Sequence, residues 1–437
     1  MFAAALVLLL IGYPVAFTFG AAALLFGAIA AYVSLLPNPA FIEVAHEFFS
    51  MFSLMPFRIF SIMTNTILMA IPLFILMGII LQKSQLAERL LESMGILFGK
   101  VRGGLAISTV LVGALLAAST GVVGASVVAM GVICLPVMLK YGYSKQLSTG
   151  TICAAGTLGQ IIPPSIVLIV LGDVFQLPVG DLFQAAFFPG FVLVAFYIIY
   201  IFIVSFLKKD VAPAIIIPKE ERKGSVLRAL KAILPPLTLI VIVLGSIFAG
   251  IATPTESASV GALGAMVLAA MYKKLSWNVV LESCQETVKV TAMVFAILIG
   301  ATAFSMVFIY TGADLIVEHF MLSLPGEKWG FIFLVMLVIF VLGFFIDFIE
   351  ISYIVVPILL PTAQKIGIDP MWFAILIAMN LQSSFLTPPF GFSLFYLKGV
   401  APPEVSTLNI YRGVLPFIML QVIVLATMVF MPHLFGF

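Results

Sequence analysis

Charge is what this 437-residue sequence has least of: Asp, Glu, Lys and Arg together make up 9% of it, against roughly 25% in a soluble globular domain. A water-soluble enzyme and a nucleic-acid binder are excluded on that ground. Cysteine is scarce as well. Cys134, Cys153 and Cys284 lie in or beside apolar runs with no paired spacing, so neither a disulfide framework nor a zinc site is indicated. His46, His319 and His433 are equally scattered. No glycine-rich loop ends in Lys-Ser or Lys-Thr, which leaves an ion gradient or a partner as the source of energy. The apolar stretches also lack the alternation of barrel strands.

What remains is apolar. Hydrophobic residues make up 63% of the chain, with 40 Phe, 20 Met and a mean hydropathy of +1.26. Uncharged runs of about 20 residues match the helix needed to cross a hydrocarbon core of roughly 30 Å. The expected fold is an all-α polytopic membrane protein. Continuous crossings are expected at about 60–82, 148–177, 183–207, 232–252, 255–272, 286–310, 370–398 and 414–436, with one or two more in 1–36. No cleavable signal pattern precedes the first run, which carries Gly12 and Pro14 and reads as a retained segment.

The basic residues set the sidedness. Residues 208–231 hold Lys208, Lys209, Lys219, Arg222, Lys223, Arg228 and Lys231, seven of the 21 Lys and Arg, and by the positive-inside rule form a cytoplasmic loop. Counting crossings outward from it puts eighteen of the 21 inside and leaves Arg58, Lys328 and Lys365 outside. That holds only if 104–139 and 328–362 each return to the side they entered, as re-entrant hairpins or full double crossings. We read them as re-entrant. One enters from the cytoplasm and the other from the opposite face, the mirror relation of an inverted repeat. Leu135-Pro136, Lys140, Gly142 and Pro163-Pro164 recur as Leu360-Pro361, Lys365, Gly367 and Pro388-Pro389 at a constant offset of 225. Residues 1–207 are therefore expected to form a first repeat with hairpin 104–139 and broken helix 148–177. Residues 232–437 form its inverted copy, with hairpin 328–362 and broken helix 370–398.

Each repeat ends in a helix that adjacent prolines interrupt, Pro163-Pro164 and Pro388-Pro389. Such a pair removes two backbone donors and clashes with the preceding turn. Irregular backbone inside a membrane is tolerated only where it faces protein, water or an ion, and a cation such as Na⁺ suits freed carbonyls joined by hydroxyl or amide oxygens. Gly156, Thr157, Gln160 and Pro163 offer these in the first break, and Gln382, Ser383, Thr387 and Pro388 in the second. The plainer alternative is a kink satisfied by Thr157, Gln160 or Thr387 bonding back to the chain. Each hairpin adds a polar tip. Ser119 to Ser126 is small and hydroxyl-rich, which lets backbone approach a ligand, although Gly121 and Gly124 also suit helix packing. Asp347-Phe348-Ile349-Glu350-Ile351-Ser352 carries two acids, costly in a membrane interior and functional by default unless the tip meets water. Glu256, in Thr253-Pro254-Thr255-Glu256, reads as the first-turn acid of a capped helix. Segments 84–101 and 311–322 read as interfacial amphipathic helices that brace a moving unit.

These stretches, with Pro72-Leu73-Phe74, Ser84 to Leu90, Gly367-Ile368-Asp369-Pro370, Asn380-Leu381 and Leu386 to Gly391, give a specific likeness. From end to end the chain resembles the large membrane subunit of tripartite ATP-independent periplasmic (TRAP) transporters. The resemblance implies a sodium-coupled secondary importer of the bacterial inner membrane that works by an elevator motion. It also implies a periplasmic substrate-binding protein, a separate small four-helix membrane subunit and a small organic acid as substrate. Asp347-Phe348-Ile349-Glu350 departs from the Asp-Pro type sequence of many members, and Gln382-Ser383-Ser384 stands where others carry smaller or aliphatic residues.

On this reading Na⁺ binds between each tip and its break, with substrate between the two places. The candidates are Ser119, Thr120, Ser126, Thr157, Gln160, Glu350, Asn380, Gln382, Ser383 and Thr387, with carbonyls near Gly156, Pro163 and Pro388. A rival of the same class is a standalone ion-coupled carboxylate carrier of the wider ion-transporter superfamily. An intramembrane enzyme would use Asp347 with Glu350, or Ser119 with His319, but Ser119 and His319 fall in segments assigned to opposite faces and no third group is evident.

Overall fold

The computed structural model describes residues 1–37, 39–84, 86–120, 123–215 and 225–437, with side chains at all of these except Leu10, 86–88, Leu91, Glu92, Ile96, 117–120, Ser225 and Arg228. Among the described residues there is no strand. Seven helices among them are long and apolar enough to cross a membrane: Val15–Ser34, Val123–Lys140, Val179–Leu207, Ala229–Phe248, Trp277–Tyr310, Phe348–Lys365 and Thr407–Phe430. Large apolar side chains such as Phe17, Leu207 and Phe333 stay exposed, as expected of a surface solvated by lipid rather than water.

Two expected crossings need correction, and the choice of one or two in residues 1–36 is narrowed. Residues 1–36 contain two helices, but Phe2–Ile11 has only ten residues and ends at Gly12 in the left-handed region, so Val15–Ser34 alone is long enough to cross. The run at 60–82 is not continuous: Met55–Met63 stops and Ala70–Lys83 starts afresh. Asn65 causes the interruption, since its Oδ1 accepts from the amides of Ile67 and Leu68 at 2.9 and 3.4 Å and competes with the helical pattern. Helix Trp277–Tyr310 begins earlier than expected, capped by Ser276. Its 34 residues span about 51 Å at 1.5 Å each, well beyond the hydrocarbon thickness.

Two helix pairs frame the molecule. Ala70–Lys83 lies along Pro254–Met271, and Trp277–Tyr310 along Val15–Ser34. Glycine permits both approaches: a Cβ on Gly261 would fall 2.7 Å from Met77 Sδ, and one on Gly300 2.5 Å from the Ala16 carbonyl. Thr253 and Glu256 cap Pro254–Met271 reciprocally, each side chain accepting from the other's backbone amide. Lys83 Nζ reaches Glu282 at 2.8 Å and Glu286 at 2.9 Å, joining the ends of two frame helices.

Inside this frame two helices are buried on every side, Lys145–Thr157 from Leu147 onward and Pro370–Leu386 from Trp372 onward, the pattern of a central element. Gly104–Thr120 and Val123–Lys140 both pack against the first. Lys328–Leu342 packs against the second and leads, after a turn, into Phe348–Glu350, a π-helical turn Ile351–Val355, and Val356–Lys365.

Candidate functional site

Both proline pairs end a helix. Lys145–Thr157 tightens into a 3₁₀ turn, Leu158–Gln160, and helix resumes only at Ile166–Phe175. Pro370–Leu386 stops before Thr387 and resumes at Phe392–Val400. At each break a serine further along donates to a carbonyl in the final turn before it, Ser165 Oγ to Gln160 O at 2.7 Å and Ser393 Oγ to Phe385 O at 2.8 Å. Thr157 and Thr387 bond back to their own helices, donating to Ala154 O at 2.9 Å and Ser383 O at 2.7 Å. These are the bonds a satisfied kink requires.

Gln160 does not behave this way. It is fully buried, and neither its Oε1 nor its Nε2 has a partner. Gln382 is likewise buried with both amide atoms unpartnered. An unpaired buried amide costs roughly 1–3 kcal/mol, so Gln160 in the first break and Gln382, one turn before the second, keep unused hydrogen-bonding capacity. Gln382 sits on the face of Pro370–Leu386 opposite Asn380 and Ser384. Asn380 Nδ2 donates to Met336 O of the second hairpin at 2.7 Å, and Ser384 Oγ would lie 2.1 Å from a Cβ on Gly343. Gln382 instead lies beside Tyr197, close but without hydrogen-bond geometry, while Tyr197 accepts from Gln421 Nε2 at 2.8 Å.

The two tips differ. The side chains of Ser119 and Thr120 lie outside the described residues; Ser126 is buried and engaged by the surrounding protein. Asp347 caps its short helix, accepting from Phe348 N at 2.7 Å. Glu350 is 2% exposed and its Oε2 has no partner. This unpartnered oxygen belongs to the second hairpin. Ser383 bonds within its own helix, to Met379 O at 3.1 Å. Pro163 is buried and lines an apolar cavity of about 450 Å³ with Leu111, Phe187, Leu237 and Val241, whereas Pro388 is half-buried and Pro389 exposed.

The four elements interlock. A Cβ on Gly156 would fall 2.2 Å from Val127, so the first break helix is pressed against the first hairpin. The far half of each broken helix crosses to the other hairpin. Tyr396, from Phe392–Val400, lies against Gly124 of the first tip, where a Cβ would meet its ring at 2.9–3.2 Å, and within electrostatic reach of Asp347 of the second. Asp173, from Ile166–Phe175, accepts from Tyr353 of the second hairpin at 3.0 Å. Sequence reasoning missed Tyr396, Tyr353 and Asp173. Only Asp173 carried a signal, a lone acid at the end of an apolar run.

Comparison with known proteins decides the family. Residues 2–434 match the model for the DctM component of tripartite ATP-independent periplasmic transporters. The chain belongs to this family. The permease is 33% identical over 377 residues to the C4-dicarboxylate TRAP transporter large permease protein DctM of Pseudomonas aeruginosa, covering 86% of each chain. It is 29% identical over 370 residues to the sialic acid TRAP transporter large permease protein SiaM of Vibrio cholerae, covering 84% of this chain and 85% of that one. Among solved structures it resembles the YdaH transporter of Alcanivorax borkumensis, with a TM-score of 0.62 at 13% identity over 98% of both chains, a likeness of fold alone. The permease is thus a multi-pass inner-membrane transport subunit and not an enzyme. Large permeases of the family work with a small membrane subunit and a substrate-binding protein.

Proposed function

We propose that this permease is the sodium-coupled importing subunit for a small organic acid, delivered by a periplasmic binding protein and assisted by a separate small membrane subunit. The observation that carries the reading is the pair of broken helices whose fully buried Gln160, in the first break, and Gln382, one turn before the second, have no partners. Their amide oxygens, and separately Glu350 Oε2 in the second hairpin, are hard oxygen donors of the kind a monovalent cation takes. Na⁺ binds beside each break, and its charge offsets the cost of bringing an organic anion to the acidic second tip.

The inverted repeat finds support in packing. Ala70–Lys83 pairs with Pro254–Met271 as Trp277–Tyr310 pairs with Val15–Ser34, and Ser165 serves Gln160 O as Ser393 serves Phe385 O. The interlocked hairpins and broken helices move as one elevator against the frame helices. Relatives named for C4-dicarboxylate, sialic acid and ectoine support a small carboxylate-bearing substrate without selecting one. The test is uptake by permease co-reconstituted with its small subunit and binding protein: accumulation should require an inward sodium gradient, and uptake indifferent to that gradient would reject the coupling.

A further inference from the structure

The contact between the moving and fixed parts has a sided chemistry. Asn65 belongs to the frame: its Oδ1 caps the turn before Ala70–Lys83, and the neighbouring Thr66 carbonyl accepts from Thr255 Oγ1 of Pro254–Met271 at 2.7 Å. Its amide Nδ2 reaches across to Asp173 Oδ1 at 2.6 Å. Asp173 Oδ2 accepts from Tyr353, so a side chain of the second hairpin fixes the orientation of that carboxylate. By the charge count these groups lie on the outer half. On the inner half Ala70–Lys83 of the frame packs against Gly104–Thr120 of the first hairpin, but a cavity of about 220 Å³ opens beside that contact between Ala125 of the hairpin and Gln82, Glu286 and Lys289 of the frame.

We propose that Asn65 and Asp173 form an outer clasp that holds the permease open to the cytoplasm and must part for the site to face the periplasm, with Tyr353 as the residue that positions Asp173. The proposal rests on the elevator reading above. A hydrogen bond to an ionised group, once lost, changes the balance of two states by roughly tenfold or more.

Labelling with a membrane-impermeant maleimide, in a Cys284→Ser background because Cys134 and Cys153 are buried, tests it. Ala125→Cys reports the inner opening. Ile354→Cys reports the outer one, because Ile354 is 1% exposed among frame residues such as Phe304 and is uncovered only when the second hairpin leaves them. Asn65→Asp keeps the turn-capping acceptor but sets a carboxylate against Asp173. It should raise outside labelling of Ile354→Cys about tenfold, as should Asp173→Asn to a smaller extent. Combining Asn65→Asp with Asp173→Asn exchanges donor and acceptor and should return labelling toward the parent rate. Labelling that ignores the single changes, or a combined variant that behaves like Asn65→Asp, overturns the clasp. Failure of Ala125→Cys to react from the cytoplasmic side in the parent would instead remove the elevator reading, and the clasp with it.

Discussion

At the scale of single residues, the informative groups are those the protein leaves unsatisfied. A buried amide without partners weakens the empty protein, so replacing Gln160 by methionine, similar in shape but apolar, should stabilise it by about 1–3 kcal/mol; the proposed sodium site further predicts a sodium-dependent rise in Tm in the parent that this variant loses. Thermal unfolding in detergent, with and without sodium, reads both effects. A Gln160→Met protein that keeps the full sodium shift would remove Gln160 from the ion site. Gly156 makes the opposite case, a residue that must stay small. Because its Cβ would stand 2.2 Å from Val127, Gly156→Ala should cost about 1–3 kcal/mol through overpacking, and Val127→Ala in the same chain should recover part of it. Gln160 and Gln382 were legible as polar groups near prolines. That Gln382 faces Tyr197 and not the second hairpin was not, because the face a side chain occupies depends on where the helix is placed.

At the scale of elements, local chemistry reads well wherever it is self-contained. The cap at Thr253 and Glu256 needs only four consecutive residues, and the structure contains it with both bonds formed. Thr253→Ala should cost about 0.5–2 kcal/mol, measurable as a lower midpoint of thermal unfolding, with Thr253→Ser close to the parent. The proline pairs were equally readable, since a missing N–H is a property of the residue itself. The break at Thr64 to Met69 was missed because apolar composition hides a side-chain cap. Asn65 interrupts the helix by accepting two backbone amides, and hydropathy has no term for that.

At the scale of the whole molecule, sidedness is the most exposed expectation. With loop 208–231 inside and Thr407–Phe430 the last long helix, a reporter fused after Phe437 belongs on the periplasmic side. Alkaline phosphatase placed there should be active and a fluorescent protein dark, and the reverse pattern would invert every inside and outside assignment made from the basic residues.

Composition and hydrophobic run length alone determined that this is a helical membrane protein, and proline chemistry alone determined where two helices end, because both are properties of short stretches in a known solvent. Only the tertiary structure decided which polar atoms stay unpartnered, that each broken helix lends its far half to the opposite hairpin, and that Asn65 meets Asp173 across 108 positions of chain. Contacts at such separations follow from how whole helices pack, and in an apolar chain many packings satisfy the same pattern of hydrophobicity.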